Sequence, residues 1–312
     1  MTTADLSALV GADARKARFC DALSAIVRET KRAPIFVLDK DGTLTRPRQP
    51  LEPEMATSVA ALLGAGATVA VMSGAEAYRL QDEVLAPLAA HVGEGGLSSF
   101  YLIAENGAQT YRAEPGGLAA VDRLDLRETL GAERFAQVLA IVEEARIKFG
   151  IGDDPARRHV VADGSQIKLS ALGNIVDEGL RERFDPLGIK RAEWAAFVRT
   201  RLLERGLSDD AGPLVDVIVS GTSSINLLPR GVNKGHALER FAARHGLSDQ
   251  SIVYFGDRFG KGGNDVYALS HARVVINVGD DISHAGVIDA AEKGPRGVRL
   301  YLELARRVIP AG

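Results

Sequence analysis

The sequence contains a single cysteine, Cys20, among its 312 residues. One cysteine cannot form a disulfide within the chain, and this usage is typical of proteins in a reducing compartment. Aromatic residues are also scarce, at 5%, and no apolar run approaches the roughly 20 residues that a helix needs to span a bilayer. Charged residues precede the first long apolar segment, unlike in a signal peptide. We therefore predict a cytoplasmic protein.

Neither sign of charge dominates the chain, because 38 Lys and Arg residues face 41 Asp and Glu residues, for a net charge of -3. This balance predicts no general electrostatic attraction to nucleic acid or to an anionic membrane. Hydrophobic residues make up 46% and charged residues 25%, as in ordinary globular proteins. The length is sufficient for a well-buried core and two domains. We expect a small-molecule partner, and neither nucleic acid nor membrane.

Short apolar segments, each followed by a polar or glycine-rich turn, are the main secondary-structure signal. They cover residues 35–39, 68–73, 101–105, 252–257 and 274–279. Continuous rather than alternating apolarity is typical of parallel strands covered on both faces. Helical patterns separate several of them, at 54–64, 74–88, 234–245 and 298–308. Strand alternating with helix predicts an α/β fold with a doubly wound, Rossmann-like parallel sheet.

Well over a hundred residues separate the third apolar segment from the fourth, which is too many for one crossover connection. We predict an inserted α+β domain at 109–229 within a core formed by 1–108 and 230–312. Its strand patterns lie at 159–162, 166–171, 215–220 and 224–228, and its helical patterns at 132–149 and 190–205. Residues 1–32 form an N-terminal helical extension, with a helical pattern over 4–30. The sequence leaves two alternatives for this helix: it packs on the core of its own chain, or it packs on a partner subunit in a homodimer.

Carboxylates are concentrated at the ends of the predicted strands. Asp39 and Asp41 follow the first segment, Asp257 ends the fourth, and Asp265 comes shortly after. Ligands of open parallel sheets bind at this edge, where crowded carboxylates raise one another's pKa. Mg²⁺ relieves that repulsion and binds oxygen ligands together with substrate phosphate. We therefore predict magnesium and a phosphorylated substrate. Of two carboxylates two residues apart, one can attack phosphorus while the other transfers a proton.

Donors for a phosphate group are present at the same strand ends. Ser73 and Gly74 follow a strand just before a predicted helix, where backbone N–H groups favour an anion. Thr43 lies in a glycine turn and can offer its N–H and its hydroxyl. Lys234, at the predicted start of the helix before the fourth strand, supplies a compact positive charge to a phosphoryl group.

These residues together resemble the haloacid dehalogenase superfamily. The first motif of that superfamily, Asp-x-Asp-Gly-Thr-Leu-Thr, matches residues 39–45, and the second, Ser or Thr after an apolar strand, matches Ser73. The third motif, a lysine, matches Lys234, and the fourth, Gly-Asp followed by Asn-Asp, matches Asp257, Asn264 and Asp265. Four motifs in this order form a much more specific signal than any one alone, since Asp and Gly are common in turns.

The resemblance implies a role for each matched residue. Asp39 would be phosphorylated and would bind Mg²⁺ with its side chain. Asp41 would be the general acid and base and would bind the metal through its carbonyl. Asp257 would complete the metal site, and Asn264 and Asp265 would support it, directly or through water. The residues that would hold the phosphate are Ser73 and Lys234.

The position of the insert, after Glu105-Asn106-Gly107, resembles the type IIB cap subclass of that superfamily. Within the subclass, three segments are similar to the eukaryotic-type phosphomannomutase family. They are Leu-Thr-Arg-Pro-Arg-Gln at 44–49, Ser-Ala-Leu-Gly at 170–173, and the Gly-Asp to Gly-Gly-Asn-Asp segment at 256–265. The resemblance makes Arg48 a candidate substrate contact, and Asn106 is a second candidate in the turn that precedes the insert.

The cap departs from this family at two positions. Asn174 stands where the family has an arginine that grips substrate phosphate, and Asn226 stands where it has the aspartate of Ser-Phe-Asp. Both are candidate substrate residues. Loss of an arginine removes a fork-shaped phosphate ligand, which a hexose phosphomutase needs for the second phosphate. We therefore favour a phosphatase of small sugar phosphates over a phosphomutase. A non-catalytic phosphate acceptor or binding module is the third alternative.

Overall fold

The computed structural model describes residues 13–92, 94–162, 165–173, 177–260, 263–280 and 284–309. Its strands are β1 (Ile35–Asp39), β2 (Thr68–Met72), β3 (Phe100–Ala104), β4 (Gln109–Glu114), β5 (Gly117–Arg123), β6 (Val160–Ala162), β7 (Ile167–Ser170), β8 (Ser208–Asp209), β9 (Gly212–Pro213), β10 (Val215–Ser220), β11 (Ser224–Pro229), β12 (Ile252–Gly256), β13 (Val274–Asn277) and β14 (Ile288–Asp289). Its α-helices are α1 (Ala14–Thr30), α2 (Pro53–Gly64), α3 (Ala77–Leu80), α4 (Ala86–Val92), α5 (Leu126–Lys148), α6 (Glu178–Phe184), α7 (Ile189–Glu204), α8 (Lys234–Arg244) and α9 (Gly294–Val308). A π-helical turn, Gln81–Leu85, joins α3 to α4.

Contacts divide the chain into two compact units. The first contains Met1–Asp122, Asn233–Lys261 and Asp265–Gly312, and the second contains Arg123–Val232 with Gly262–Asn264. Among the described residues, no helix combines the length and the apolar character that a membrane span requires.

The first unit is built on an eight-stranded sheet in the order β14-β13-β12-β1-β2-β3-β4-β5. The six strands from β14 to β3 are parallel. Phe36 and Leu38 belong to a core on one face with residues of α2 and α9, while Ile35 and Val37 pack with α8 on the other. Because both faces are covered, every residue of β1 is buried. The structure confirms the predicted doubly wound α/β fold.

The boundary predicted at residue 109 differs from the structure. Both β4 and β5 belong to the sheet of the first unit, and β4 pairs antiparallel with β3, with Ile103 opposite Thr110. Sequence patterns missed these strands because β4 buries only Thr110 and Ala113, and every residue of β5 stays at least partly exposed. The second unit therefore begins at Arg123 and ends at Val232 rather than at 229.

The second unit contains a four-stranded antiparallel sheet in the order β10-β11-β7-β6. One face of this sheet, including Leu169 and Ile225, packs against apolar residues of α5 and α7. Helix α5 is broken at Gly131, which has a φ of 77°. The unit is the α+β domain that the alternating strand and helix patterns predict.

Helix α1 docks on the core of its own chain. Phe19 and Cys20 are fully buried, and the Phe19 ring lies 5.0 Å from that of Tyr301, edge to face. Arg18 donates hydrogen bonds to the carbonyl of Val287, beside β14, and to that of the preceding glycine. Burial raises the pKa of the Cys20 thiol to about 11. Of the two roles open from the sequence, the structure shows docking on the core; residues 4–12 of the predicted helix lie outside the described residues.

Candidate active site

The register of the parallel strands brings the motif residues to one edge of the sheet. Asp39, the last residue of β1, is level with Met72 of β2, so Ser73 follows directly beyond it. On the other side, Leu38 is level with Phe255 of β12, which places Asp257 two residues further on at the same edge. Parallel pairing therefore brings together three motifs that are far apart in sequence.

Lys234 is the first residue of α8, and its ammonium group is fully buried among oxygen atoms. Its Nζ lies 2.5 Å from Asp39 Oδ1, 2.6 Å from Asp265 Oδ1 and 3.2 Å from the Tyr254 hydroxyl. An ammonium group has three N–H donors, so these three contacts occupy them all. Burial alone would lower the pKa of Lys234, but the two carboxylates raise it above its usual value. Lys234 is therefore a permanent positive charge beside Asp39.

Asp265 organises the site through both of its oxygen atoms. Oδ1 accepts from Lys234 and from the Tyr254 hydroxyl, at 2.6 and 2.5 Å. Oδ2 accepts from the backbone N–H groups of Asp257 and Arg258, at 3.0 and 2.9 Å. A carboxylate offers about four lone-pair sites, and all of them are engaged here. The geometry favours the indirect alternative for Asp265, which supports the metal site without binding the ion.

Asp39, Asp257 and Asp265 form an acidic cluster, with one oxygen from each within 4.8 Å of the others. Burial, followed by the neighbouring carboxylates, raises the pKa of Asp257 to about 8. Burial also raises the pKa of Asp39 to about 7, even though Lys234 acts in the opposite direction. Buried, mutually repelling carboxylate oxygens are the ligands that a hard divalent cation stabilises. The carboxylates of Asp39 and Asp257 fit Mg²⁺, with Asp265 as their support.

Gly42 leaves room for the Asp257 carboxylate. A Cβ atom at Gly42 would lie 2.3 Å from Asp257 Oδ2, and the φ of Gly42 is 89°. Only glycine permits both the backbone conformation and the close approach. The glycine of the first motif therefore shapes the acidic cluster as well as the turn.

We expect Gly42→Ala to lower kcat/KM by about a hundredfold, because displacement of Asp257 disturbs the cluster. Gly66→Ala is the matched control: Gly66 has a φ of 79°, and its Cβ would meet nothing within 4 Å. Both substitutions carry a backbone strain of about 1–2 kcal/mol, but only the first should change the Mg²⁺ dependence of activity. Thermal unfolding and a Mg²⁺ titration of kcat/KM measure the two effects. Equal activity losses in both variants would contradict this role of Gly42.

Asp41 is held on one side by two donors. Its Oδ1 accepts from Lys40 Nζ at 2.8 Å and from the backbone N–H of Arg48 at 2.6 Å. Burial would raise the pKa of Asp41, but the Lys40 charge and these hydrogen bonds lower it below its usual value. Asp41 is therefore a carboxylate at neutral pH, and the negative charge of an arriving phosphate would raise its pKa.

The predicted phosphate ligands lie at the same sheet edge. Ser73 is buried and its Oγ accepts from Ala75 N at 3.1 Å, which leaves the hydroxyl proton available to an anion. Gly74 follows Ser73 and lies two residues before Glu76, the N-cap residue of α3. Thr43 is fully buried; its N–H donates to the Lys40 carbonyl at 3.3 Å, and its Oγ1 lies 3.5 Å from Asp257 Oδ1. The hydroxyl of Thr43 thus faces the acidic cluster, while its N–H belongs to the turn.

The candidate substrate residues fall into different environments. Arg48 is half-buried with a φ of 59°, and Asn106 is buried with a φ of 55° and donates its N–H to the Ser73 carbonyl at 3.0 Å. Asn226, in β11 of the second unit, is buried and its Nδ2 donates to Gln166 Oε1 at 2.8 Å. Asn174 lies outside the described residues. Asn264 precedes Asp265 in the chain but is grouped with the second unit, so its support of the metal stays a prediction.

Sequence patterns missed three residues that contact the site. Lys40 is fully buried between the two motif aspartates and also pairs with Glu83. Tyr254 lies in the apolar segment of β12, where a tyrosine is expected to be ordinary core. A charged residue within the first motif could have drawn attention to Lys40, but nothing in the sequence singles out Glu83 or Tyr254.

Comparison with known proteins supports the resemblance to the haloacid dehalogenase superfamily that the motifs indicate. A family model described as haloacid dehalogenase-like hydrolase matches residues 199–291. Phosphomannomutase 1 of Dictyostelium discoideum is 26% identical over 248 residues, which cover 77% of this chain and 88% of that protein. Phosphomannomutase of Spinacia oleracea is 25% identical over 251 residues, covering 78% and 90%.

Solved structures share the fold at low sequence identity. IMP-bound Plasmodium falciparum IMP-nucleotidase, in a variant form, superposes with a TM-score of 0.64 at 13% identity, covering 94% of this chain and 70% of that one. Trehalose-6-phosphate phosphatase of Aspergillus fumigatus gives a TM-score of 0.55 at 16% identity, covering 92% and 97%. The four motifs, the fold and these relatives agree with one another, and they support placing this chain with the haloacid dehalogenase-like enzymes, with phosphomannomutases among its relatives.

Proposed function

We propose that this chain is a magnesium-dependent phosphohydrolase that releases phosphate from a small sugar phosphate through an aspartyl phosphate on Asp39. The observation that carries the proposal is the buried Asp39 carboxylate, held 2.5 Å from the Lys234 ammonium within an acidic cluster. Asp41, two residues further on, supplies a second carboxylate with one oxygen restrained. A nucleophile, a proton carrier and a fixed cation are the groups that phosphoryl transfer through an aspartate requires.

The reaction follows from the positions of these groups. An Asp39 oxygen attacks phosphorus, a new O–P bond forms, and the bond from phosphorus to the leaving oxygen breaks. Asp41, which takes up a proton when the negative charge of the bound phosphate raises its pKa, gives that proton to the leaving oxygen and then takes one from a water molecule that attacks the aspartyl phosphate. The Lys234 ammonium neutralises charge on the transferring group, and the Ser73 hydroxyl donates to one of its oxygens.

Mg²⁺ would be held by the carboxylates of Asp39 and Asp257 and by the Asp41 carbonyl. When bound, the ion supplies charge neutralisation to the phosphoryl oxygens. The fit rests on the oxygen-only donor set, on the raised pKa values of Asp39 and Asp257, and on the space left by Gly42. The single cysteine, buried in α1, also supports a cytoplasmic enzyme in a reducing compartment.

A neutral residue at one cap position supports hydrolysis over phosphoryl return to the sugar. A phosphomutase must grip a second phosphate, for which arginine is the suitable side chain. This chain has Asn174 where the phosphomannomutase family has an arginine that grips substrate phosphate, whereas the second departure, Asn226, replaces an aspartate and removes no phosphate ligand. Asn226 is 1% exposed and bound to the neutral Gln166. A hexose phosphomutase is the second candidate, favoured by the 26% identity to phosphomannomutase 1.

The experiment is phosphate release across a panel of sugar phosphates, with and without Mg²⁺, and with and without a trace of glucose 1,6-bisphosphate. We expect release that requires Mg²⁺ and is indifferent to the bisphosphate. Bisphosphate-dependent interconversion of 1- and 6-phosphates, with no phosphate released, would instead establish the mutase. Mg²⁺ binding without turnover of any panel member would revive the non-catalytic alternative.

A further inference from the structure

Lys40 is a buried charge that the reaction described above does not use. It lies between the nucleophile and the proton carrier in sequence, and its side chain is fully buried. Its Nζ lies 2.8 Å from Asp41 Oδ1 and 2.5 Å from Glu83 Oε2. A buried ammonium is costly unless it is paired, and here both partners are carboxylates. Glu83 therefore compensates the buried charge of Lys40 together with Asp41.

Glu83, the partner of Lys40, lies in an irregular helical segment. Glu83 lies in the π-helical turn Gln81–Leu85, a geometry that is rare and often found at functional sites. Pro87, four residues later, has no N–H to donate to the Glu83 carbonyl. That carbonyl instead accepts from Leu51 N at 2.7 Å, which ties the turn to the segment after the first motif.

Arg79 restrains the other side of the Glu83 carboxylate. Its Nε and Nη2 donate to Oε1 at 3.2 and 3.0 Å, and Nη2 also lies 3.2 Å from Oε2. A guanidinium that contacts both oxygens orients a carboxylate as well as pairing its charge. Glu83 thus has little freedom, and it passes that restraint to Lys40.

The two donors to Asp41 share one of its oxygens. Lys40 Nζ and Arg48 N both contact Oδ1, and the described residues provide no hydrogen bond to Oδ2. The Asp41 side chain is 34% exposed. Oδ2 is consequently the atom that can reach a ligand and carry a proton.

We propose that Lys40, held by Glu83 and Arg79, is a positioning residue that restrains Asp41 Oδ1 so that Oδ2 exchanges the proton with the leaving oxygen. The inference rests on the proposed function. As Asp39 forms its bond to phosphorus and the bond to the leaving oxygen breaks, the proton on Asp41 Oδ2 moves to that oxygen. Asp41 becomes a carboxylate again, with its Oδ1 bonds unchanged.

The test compares two substrates that differ in their need for that proton. Phenyl phosphate releases a phenol with a pKa of about 10, as in tyrosine, whereas p-nitrophenyl phosphate releases a much weaker base. The quantity measured is kcat/KM, which reports the first phosphoryl transfer. The variants are Lys40→Met and Glu83→Gln, and the second keeps the test open should the first fail to fold. Glu144→Gln, in the half-buried pair of Glu144 with Arg201 in the second unit, is the matched control.

For Lys40→Met we expect kcat/KM on phenyl phosphate to fall by about 10–100-fold, within the range of general acid catalysis, and on p-nitrophenyl phosphate by less than about threefold. Glu83→Gln should show the same selectivity with a smaller loss, and Glu144→Gln should show none. Equal losses on both substrates would mean a merely structural role. A gain on phenyl phosphate would mean that Lys40 acts through its charge on Asp41, and either result overturns the proposal. A wild-type enzyme that hydrolyses neither substrate would instead count against the proposed function.

Discussion

Asp39→Asn lowers kcat/KM for phosphate release by about four orders of magnitude or more, on the scale seen when a catalytic nucleophile is removed. The amide keeps the shape of the side chain and can still accept from Lys234, but it cannot form the bond to phosphorus. The measurement is phosphate release at saturating Mg²⁺. Asp209→Asn is the matched control, because Asp209 pairs with Arg230 at an exposed site in the second unit.

The same variant keeps its fold, which separates loss of chemistry from loss of structure. Burial and the neighbouring carboxylates raise the pKa of Asp39 to about 7, above its ordinary value near 4. Stability therefore falls as the pH rises from the ordinary pKa near 4 to about 7, and a neutral amide at this position removes the cost. We expect Asp39→Asn without Mg²⁺ to unfold at pH 8 at a temperature no lower than the wild type. Retained phosphate release in Asp39→Asn would show that another residue is the nucleophile.

Phe19→Ala lowers the free energy of unfolding by about 3–5 kcal/mol, the cost typical of emptying an aromatic site in a core. Phe19 is fully buried in α1 and contacts the Tyr301 ring of α9. The effect is measured by urea unfolding at constant m-value. Ile147→Ala is the control, because Ile147 is 69% exposed and its truncation should change stability by less than about 0.5 kcal/mol.

The outcome decides whether α1 is part of the folding unit or an accessory segment. If Phe19→Ala were as stable as the wild type, α1 would contribute little to the core despite its burial. A large loss of stability with kcat/KM preserved at low temperature would place α1 in the core and outside the chemistry. It would also make truncations that remove α1 unsuitable for enzyme assays.

The parallel strands and the residues at their ends could be predicted because their signal is local. Continuous apolarity marks β1 and β12, and parallel pairing then requires Asp39 and Asp257 to meet at one edge. Strands β4 and β5, the last two at one side of the sheet, could not be predicted in the same way. Most of their residues stay at least partly exposed, so these strands lack the continuous apolarity of the central strands of the core.

The contacts around Asp41 and Asp265 could not be predicted from the sequence for a different reason. Lys40 pairs with Glu83, which lies in a π-helical turn and whose carbonyl accepts from Leu51 N, and no local sequence pattern predicts either contact. The candidate ligands of a metal could be enumerated from the carboxylates, but which of them already accepts its full number of hydrogen bonds depends on donors that only the fold brings near. Asp265 is the example, since four donors engage its oxygens.

Those four donors come from α8, from β12 and from the loop that follows β12, so one side chain joins three parts of the chain. Substitutions at Lys234, Tyr254 and Asp265 therefore remove members of one cooperative network rather than independent contributions. Free-energy changes at such sites do not add, and the first loss accounts for most of the total. Single substitutions at Lys234, Tyr254 or Asp265 should therefore each cost nearly as much as substitution of all three. Residues outside this network should show independent, additive effects.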